Sequence, residues 1–146
     1  MPEPKPTIDL QRLNQARHNR DCAQTLLRSY RDWALVVAFY SALHYTITGF
    51  LALGIDMYKN PREIDESWHD RQKELIRKHF NGCFKEYRKL HEASNKIRYV
   101  REYTNEDIPS LSYYNQFDVN TFINNDLNNI FNVVSKTVKD KNNLDI

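Results

Sequence analysis

The residues best suited to chemistry lie between positions 87 and 99, on a stretch that reads as an amphipathic helix. At helical spacing, one face of that helix carries Tyr87, His91, Ser94 and Arg98. A guanidinium beside hydroxyl and imidazole groups is a set that can hold a phosphate. The alternative is an ordinary amphipathic helix whose arginines are solvated or paired with acids.

Basic and aromatic residues are interleaved along this stretch and beyond it. The residues that we assign to nucleic-acid binding are Arg88, Arg98, Tyr99 and Arg101. Arginine can hold a phosphate while a tyrosine ring stacks on a base, as in proteins that bind single strands. Since Glu86, Glu92 and Glu102 lie within about one helical turn of these arginines, salt bridges are the alternative.

A second polar group interrupts the most apolar stretch, residues 33–55, which contains no Asp, Glu, Lys or Arg. Tyr40, His44 and Thr48 are four residues apart and share a helical face. We predict a polar pocket that includes Tyr40, His44 and Ser94. The alternative for His44 is a core histidine that is hydrogen-bonded to a neighbouring helix.

Five helices are predicted to position these residues. Apolar residues recur every three or four positions over about residues 9–30, 33–54, 61–81, 83–103 and 118–139. Asp9 or Thr7 can cap the first helix, and Pro61 suits the first turn of the third. Residues 104–116, which include Pro109, are predicted to form a loop.

Length and composition favour one all-α domain. The chain has 146 residues, of which 40% are hydrophobic, 27% are charged and only three are glycine. We predict an antiparallel (up-and-down) bundle of four to five helices. Residues 1–8 form an extended Pro-rich lead, 9–141 the single bundle domain and 142–146 a flexible tail. The net charge of +2 does not by itself argue for nucleic acid.

Residues 33–55 are also long enough to cross a bilayer, since a helix of that length spans roughly 34 Å. Polar groups such as His44 and Thr46 are costly in lipid, so we predict a core helix and keep a membrane anchor as the alternative. Cys22 and Cys83 are isolated, as in reduced cytosolic proteins, and no secretory signal is present. We therefore expect a cytoplasmic protein.

Several classes of active site are disfavoured by the motifs. The five histidines are scattered singly without a zinc-binding spacing, and the sequence has no P-loop, Gly-rich nucleotide turn or GxSxG motif. We expect neither a metal nor another cofactor.

Three short motifs follow one another along the chain. They are Phe39-Tyr40-Ser41-Ala42-Leu43-His44, then His69-x-Arg71, and then Tyr87-Arg88-x-Leu90 with Ser94-x3-Arg98-Tyr99. In this order they resemble the HEPN superfamily, and the resemblance covers residues 10 to 103 approximately. It implies a dimeric bundle of four or five helices. Many members are metal-independent ribonucleases of toxin and antiviral systems, and others are inactive partners or binding modules, often beside a nucleotidyltransferase.

Active members of this superfamily carry an Arg and a His with four to six residues between them. The Arg holds the scissile phosphate and the His moves a proton of the attacking 2′-hydroxyl or the leaving oxygen. Arg12 with His18 and Arg62 with His69 have a matching spacing. The resemblance, however, places the pair on a late helix at about residues 98–105, where Arg98 has no such His.

These observations predict a dimeric, RNA- or nucleotide-associated binding or partner module in a prokaryotic defence or toxin–antitoxin system. A nucleotidyltransferase or another protein is the expected partner beside an RNA or nucleotide ligand. One alternative is a metal-independent endoribonuclease with His69 and Arg71 as its catalytic residues; the other pairs considered are Arg62 with His69 and Arg71 with His44. The remaining alternative is a purely structural protein-interaction bundle.

Overall fold

The computed structural model describes residues 4–58, 67–99 and 114–146, and within them the chain forms five helices. The first four are α1 (Leu10–Leu26), α2 (Arg31–Ala52), α3 (Trp68–His79) and α4 (Phe84–Arg98). The fifth, α5, joins three segments end to end: Gln116–Thr121, the π-helical Phe122–Leu127 and Asn128–Asn142. A short 3₁₀ turn, Asn81–Cys83, connects α3 to α4. The prediction of an all-α helical bundle is confirmed.

Side-chain caps fix where three helices begin. Asp9 accepts a hydrogen bond from the backbone nitrogen of Arg12 at 3.0 Å, as predicted for α1. Ser67 caps α3 in extended backbone, so the prediction that this helix starts at Pro61 is wrong, and residue 61 itself lies outside the described residues. Asn115 and Asp118 form a capping box that starts α5 two residues earlier than predicted.

The helix ends also differ from the predictions. The first helix stops at Leu26 and not at Tyr30, because Tyr30 leaves the helical region (φ −138°, ψ 63°) and α2 begins at Arg31. No Gly or Pro marks this break in the sequence. Helix α5 ends at Asn142, three residues past the predicted end, and Asn143 after it adopts the left-handed conformation (φ 54°) typical of a helix C-terminus. The predicted end of α4 at residue 103 lies outside the described residues.

Helix α2 is the centre of the bundle. It packs against α1, α4 and α5, and its buried side chains lie all around it, among them Leu35, Phe39, Ile47 and Phe50. Within the part of the chain that is described, it is the single helix long and apolar enough to cross a membrane, and 72% of its most apolar stretch is buried by the other helices. That burial is typical of the core helix of a soluble protein.

Consecutive helices pair in opposite directions at three places in the bundle. Between α1 and α2, the Ser41 hydroxyl donates to the Ala16 carbonyl at 2.7 Å and the Thr7 nitrogen to the Leu51 carbonyl at 3.0 Å. From the first bond to the second, the residue number on the α2 side rises while the residue number on the α1 side falls, so α1 and α2 are antiparallel. The turn at Asn81–Cys83 reverses the chain between α3 and α4, and α4 and α5 are antiparallel by the same rule.

Helices α2 and α3, in contrast, run in the same direction. His69 at the start of α3 lies 5.9 Å from Phe39, whereas Phe80 after its end stacks on Phe50 at 5.2 Å between ring centroids. The connection therefore carries the chain back along the bundle. Its first residues, 53–58, lie along α2, and Met57 among them is buried in the core.

Candidate functional site

Arg98 is held at the end of α4 by neutral groups from two helices. Its Nη1 donates to the Tyr40 hydroxyl at 2.9 Å and its Nη2 to the Asn95 side-chain oxygen at 2.8 Å. The guanidinium carbon also lies 5.8, 5.5 and 5.2 Å from the ring centres of Phe39, Tyr40 and Tyr99, within the range of cation–π attraction. These contacts fix the position of the charge without neutralising it.

No carboxylate pairs with Arg98 among residues 4–58, 67–99 and 114–146. Its Nε is buried and, in the same ranges, has no hydrogen-bond partner. An arginine usually offers its five donors to carboxylates or phosphates. Within the described ranges, Nε and the second hydrogen on each Nη therefore have no acceptor.

Two histidines from different helices lie beside this arginine. The rings of His69 on α3 and His91 on α4 are 5.0 Å apart, and Phe39 stacks on His91 with its centroid at 5.0 Å. We call these two histidines, with Phe39, Tyr40, Asn95 and Arg98, the Arg98 cluster.

Asn95 links His91 to Arg98 and thereby fixes the tautomer of the imidazole. Arginine can only donate, so the Asn95 oxygen faces Arg98 and the amide nitrogen faces Nε2 of His91, 3.3 Å away. That amide nitrogen can only donate in turn, so Nε2 must accept. A neutral His91 consequently carries its proton on Nδ1.

Burial and neighbouring cations keep both imidazoles neutral at neutral pH. Burial, and then His69, Lys73 and Arg98, lower the pKa of His91 to about 4 against an opposing effect of Asp70. The pKa of His69 is also lowered, by burial first and then by Arg98 and Lys73. An anion bound at Arg98 would offset these cations, so the cluster has the electrostatics of an anion site with neutral bases beside it.

The predicted polar pocket is divided between two sides of α2. Tyr40 faces α4 and contacts Arg98, whereas Nδ1 of His44 lies 3.5 Å from Nη1 of Arg12 on α1. Burial lowers the pKa of His44, with Arg12 acting in the same direction. This placement of His44 fits the alternative interpretation of a core histidine that contacts a neighbouring helix. The hydroxyl of Ser94 is buried and has no hydrogen-bond partner in the described ranges.

His69 and Arg71, the two residues that the sequence nominated as catalytic, both lie on α3. Residues two apart on a helix point to different sides, so Arg71 does not continue the face that carries His69. The cations that lower the pKa of His69 are Arg98 and Lys73. The structure thus brings His69 to Arg98, a combination that the sequence analysis did not consider.

The nucleic-acid-binding residues separate in a similar way. Arg98 and Tyr99 are together, since the tyrosine ring lies 5.2 Å from the guanidinium. Arg88 is exposed ten residues earlier on α4, and its Nε lies 3.7 Å from a carboxylate oxygen of Glu92, as the salt-bridge alternative predicts. Arg101 lies outside the described residues.

The sequence did not lead us to assign two members of the cluster, Phe39 and Asn95, to a site. His91 was placed on the same helix face as Arg98 but was not assigned to the site either. The available signal for Asn95 was its spacing, four residues after His91 and three before Arg98, which places it on the same face. Phe39 gave no such signal, because it reads as one apolar residue among many in α2.

In the part of the chain that is described, no group of three or more His, Cys, Asp or Glu residues could hold a metal ion. Comparison of the chain with models of protein families, with curated proteins and with solved structures gave no match.

Proposed function

We propose that this protein binds RNA or a nucleotide through a phosphate held at the Arg98 cluster. The observation that carries the proposal is a partly buried guanidinium that neutral groups hold in place. Lys73 is a second cation that acts on the two neutral histidines, and Asp70 is the acid that acts on them. Such a balance favours an anionic ligand.

The hydrogen-bond arrangement supports a phosphate as that anion. Tyr40 accepts from Arg98, so its own hydroxyl proton is available for a ligand oxygen, next to the second hydrogen on each Nη of the guanidinium. Several donors around one point suit the oxygens of a phosphate. Because Tyr40 and Asn95 already orient the guanidinium, little side-chain freedom is lost on binding.

The biological setting follows from the resemblance to HEPN proteins. We propose a cytoplasmic homodimer that serves as a binding or partner module in a prokaryotic defence or toxin–antitoxin system, beside a nucleotidyltransferase or another protein. Gel filtration with light scattering tests the dimer. A monomer at micromolar concentration would argue against this setting, while leaving phosphate binding at Arg98 open to its own test.

The proposal is tested by titrating a fluorescently labelled single-stranded RNA with the protein and measuring anisotropy at low salt. Loss of hydrogen bonds to a charged group costs about 1.5–3 kcal/mol, so Arg98→Ala should weaken binding roughly ten- to a hundredfold. It should also reduce the slope of log affinity against log salt concentration by about one.

Arg88→Ala is the matched control, since it removes an arginine from the same helix that is exposed and paired with Glu92. It should change the affinity for RNA little compared with Arg98→Ala. If the two variants weaken binding equally, the attraction is diffuse and the Arg98 cluster is not the site. If the wild type binds no RNA, the structural-partner alternative is favoured instead.

The ribonuclease alternative is favoured by one specific observation, the position of His69 beside Arg98. A neutral, partly exposed imidazole next to a phosphate-binding arginine can accept the proton of a 2′-hydroxyl. The pair would then be His69 with Arg98, whereas the sequence nominated His69 with Arg71. His91 suits this role less well because its Nε2 is occupied by Asn95.

Incubation of labelled RNA with the protein in EDTA tests this alternative. Cleavage that is lost in His69→Ala and in Arg98→Ala, but retained in Arg71→Ala, would support it. Absence of cleavage by the wild type, or cleavage that survives His69→Ala, would remove it and leave a binding protein.

A further inference from the structure

Two exposed aromatic side chains form a pair at the start of α3. The rings of Tyr58 and Trp68 lie 4.8 Å apart between centroids and are tilted by 57°. Tyr58 is 48% exposed and Trp68 is 36% exposed, so ring surface of both is open to solvent. Tyr58 follows the buried Met57, which fixes the backbone that presents it.

This aromatic pair lies next to the Arg98 cluster. Trp68 directly precedes His69, whose ring is 5.0 Å from that of His91. Tyr58 is also close enough to the buried Tyr87 to affect its pKa, and Tyr87 lies 5.9 Å from Phe39 of the cluster. The pair therefore lies on the side of the bundle that carries α3 and α4.

We propose that the Tyr58–Trp68 pair is a stacking surface for a base of single-stranded RNA whose phosphate is held at Arg98. The proposal rests on the proposed function and adds to it the part of the ligand beyond the phosphate. Aromatic rings beside a cationic groove are the usual means of holding single strands, because every base has a face on which a ring can stack.

Charge is what favours RNA over a protein as the occupant. Among the described residues, the charged groups that act on His69, which follows Trp68, are Arg98, Lys73 and Asp70, and Asp70 is paired with Lys73 at 3.3 Å. Tyr99 shares this setting, since its ring lies 5.2 Å from the guanidinium carbon of Arg98. The exposed rings of Trp33 and Phe117 lie near the starts of α2 and α5. They supply matched controls.

The chain contains two tryptophans, which makes the test direct. In a Trp33→Phe background Trp68 is the sole tryptophan, and its fluorescence reports on its own surroundings. Addition of oligoadenylate should quench Trp68 in this background and should do so less when Arg98 is also replaced by Ala. An abasic oligomer of the same length should bind at Arg98 without quenching Trp68.

Affinity supplies the second measurement. Trp68→Ala should weaken binding of labelled oligoadenylate roughly tenfold and leave that of the abasic oligomer unchanged. Trp68→Phe retains a ring, should recover most of the affinity and guards against a folding defect in the alanine variant. Trp33→Ala should bind like the wild type.

The outcomes separate the two proposals. If oligoadenylate binds in an Arg98-dependent way while Trp68 is not quenched and Trp68→Ala binds normally, the stacking surface is wrong and the phosphate site stands. If neither oligomer binds, the proposed function fails and the stacking surface with it. A change of Trp68 emission with protein concentration, without any effect of RNA, would identify a contact between copies of the chain and overturn the stacking surface.

Discussion

Arg98 donates a hydrogen bond of 2.9 Å to the hydroxyl of Tyr40, a residue 58 positions earlier in the chain. The bond joins the end of α4 to the middle of α2 and positions the charge of the Arg98 cluster. Since the acceptor is a neutral phenol, the guanidinium retains its charge, and both residues remain able to donate to a third group.

Replacing Tyr40 by Phe removes the acceptor and keeps the ring. We expect a loss of stability of about 0.5–1.5 kcal/mol, the usual contribution of one hydrogen bond, and a weakening of RNA binding by roughly three- to tenfold because Arg98 is held less well. Urea denaturation and anisotropy measure the two effects. Tyr45→Phe, which removes a hydrogen bond to the Ile146 carbonyl on another side of α2, should affect stability without affecting binding.

Stability should depend on pH through His91. The pKa of His91 is about 4 in the folded protein and ~6.5 when the chain is unfolded. Between these values the unfolded state binds more protons, so the stabilisation is complete above about pH 6.5 and is lost as the pH falls towards 4. Urea midpoints measured across this range should decrease with decreasing pH.

A His91→Gln variant should show a shallower decrease, because glutamine does not titrate and can still accept from Asn95. His18 on α1 is exposed, and His18→Gln is the control that should retain the slope of the wild type. If His91→Gln retains that slope as well, burial of a neutral His91 is not its cause. The histidines at 44, 69 and 79, whose pKa values are also lowered, account for the slope that remains.

The two thiols should differ in reactivity. Burial, helped by the charge of Glu86, raises the pKa of Cys83 to about 12, and its Sγ donates to the Phe80 carbonyl at 3.3 Å. Since the thiolate is the reactive form, a thiol reagent at pH 8 should modify Cys22 in the folded protein and modify Cys83 only after denaturation. Rapid labelling of Cys83 in the native protein would contradict the packing around α4.

Gly49 lies on the part of α2 that contacts α5 and the ring of Phe80, the residue that follows α3. A Cβ at this position would be 2.5 Å from Cγ1 of Val134 and 2.9 Å from Cζ of Phe80. Gly49→Ala should therefore destabilise the protein by about 1–3 kcal/mol despite the better helix propensity of alanine. Gly82→Ala is the control, since its nearest contact would be an ordinary 3.4 Å; a urea midpoint for Gly49→Ala equal to that of this control would refute the close approach.

Helical periodicity predicted the fold well because each helix buries one face, and α2 buries most of its surface. The start of α1 was predictable for the same local reason, since Asp9 is a capping residue. The start of α3 at Trp68 also had a local signal, the capping residue Ser67. The break at Tyr30 depends on packing between helices, which leaves no local signal. The same is true of the parallel course of α2 and α3, which is set by the returning segment at residues 53–58.

The candidate site was only partly predictable. Tyr40, Arg98 and His69 were singled out for their residue types, but their meeting depends on the register between three helices. His44 lies one helical turn after Tyr40 on the same face of α2, but it contacts α1, whereas Tyr40 contacts α4. Sequence spacing identifies residues that share a face of one helix, but not which neighbouring helix that face will meet.

The burial of α2 by later helices has a consequence for synthesis of the protein. A ribosome releases α1 and α2 before α4 and α5 exist, so the nascent chain presents a 22-residue helix that lacks the apolar cover of α4 and α5. Domains that expose such surface while incomplete depend on chaperones or aggregate. We therefore expect chains arrested after residue 58 to be retained by holdase chaperones, and the full-length chain to be released once α5 has docked.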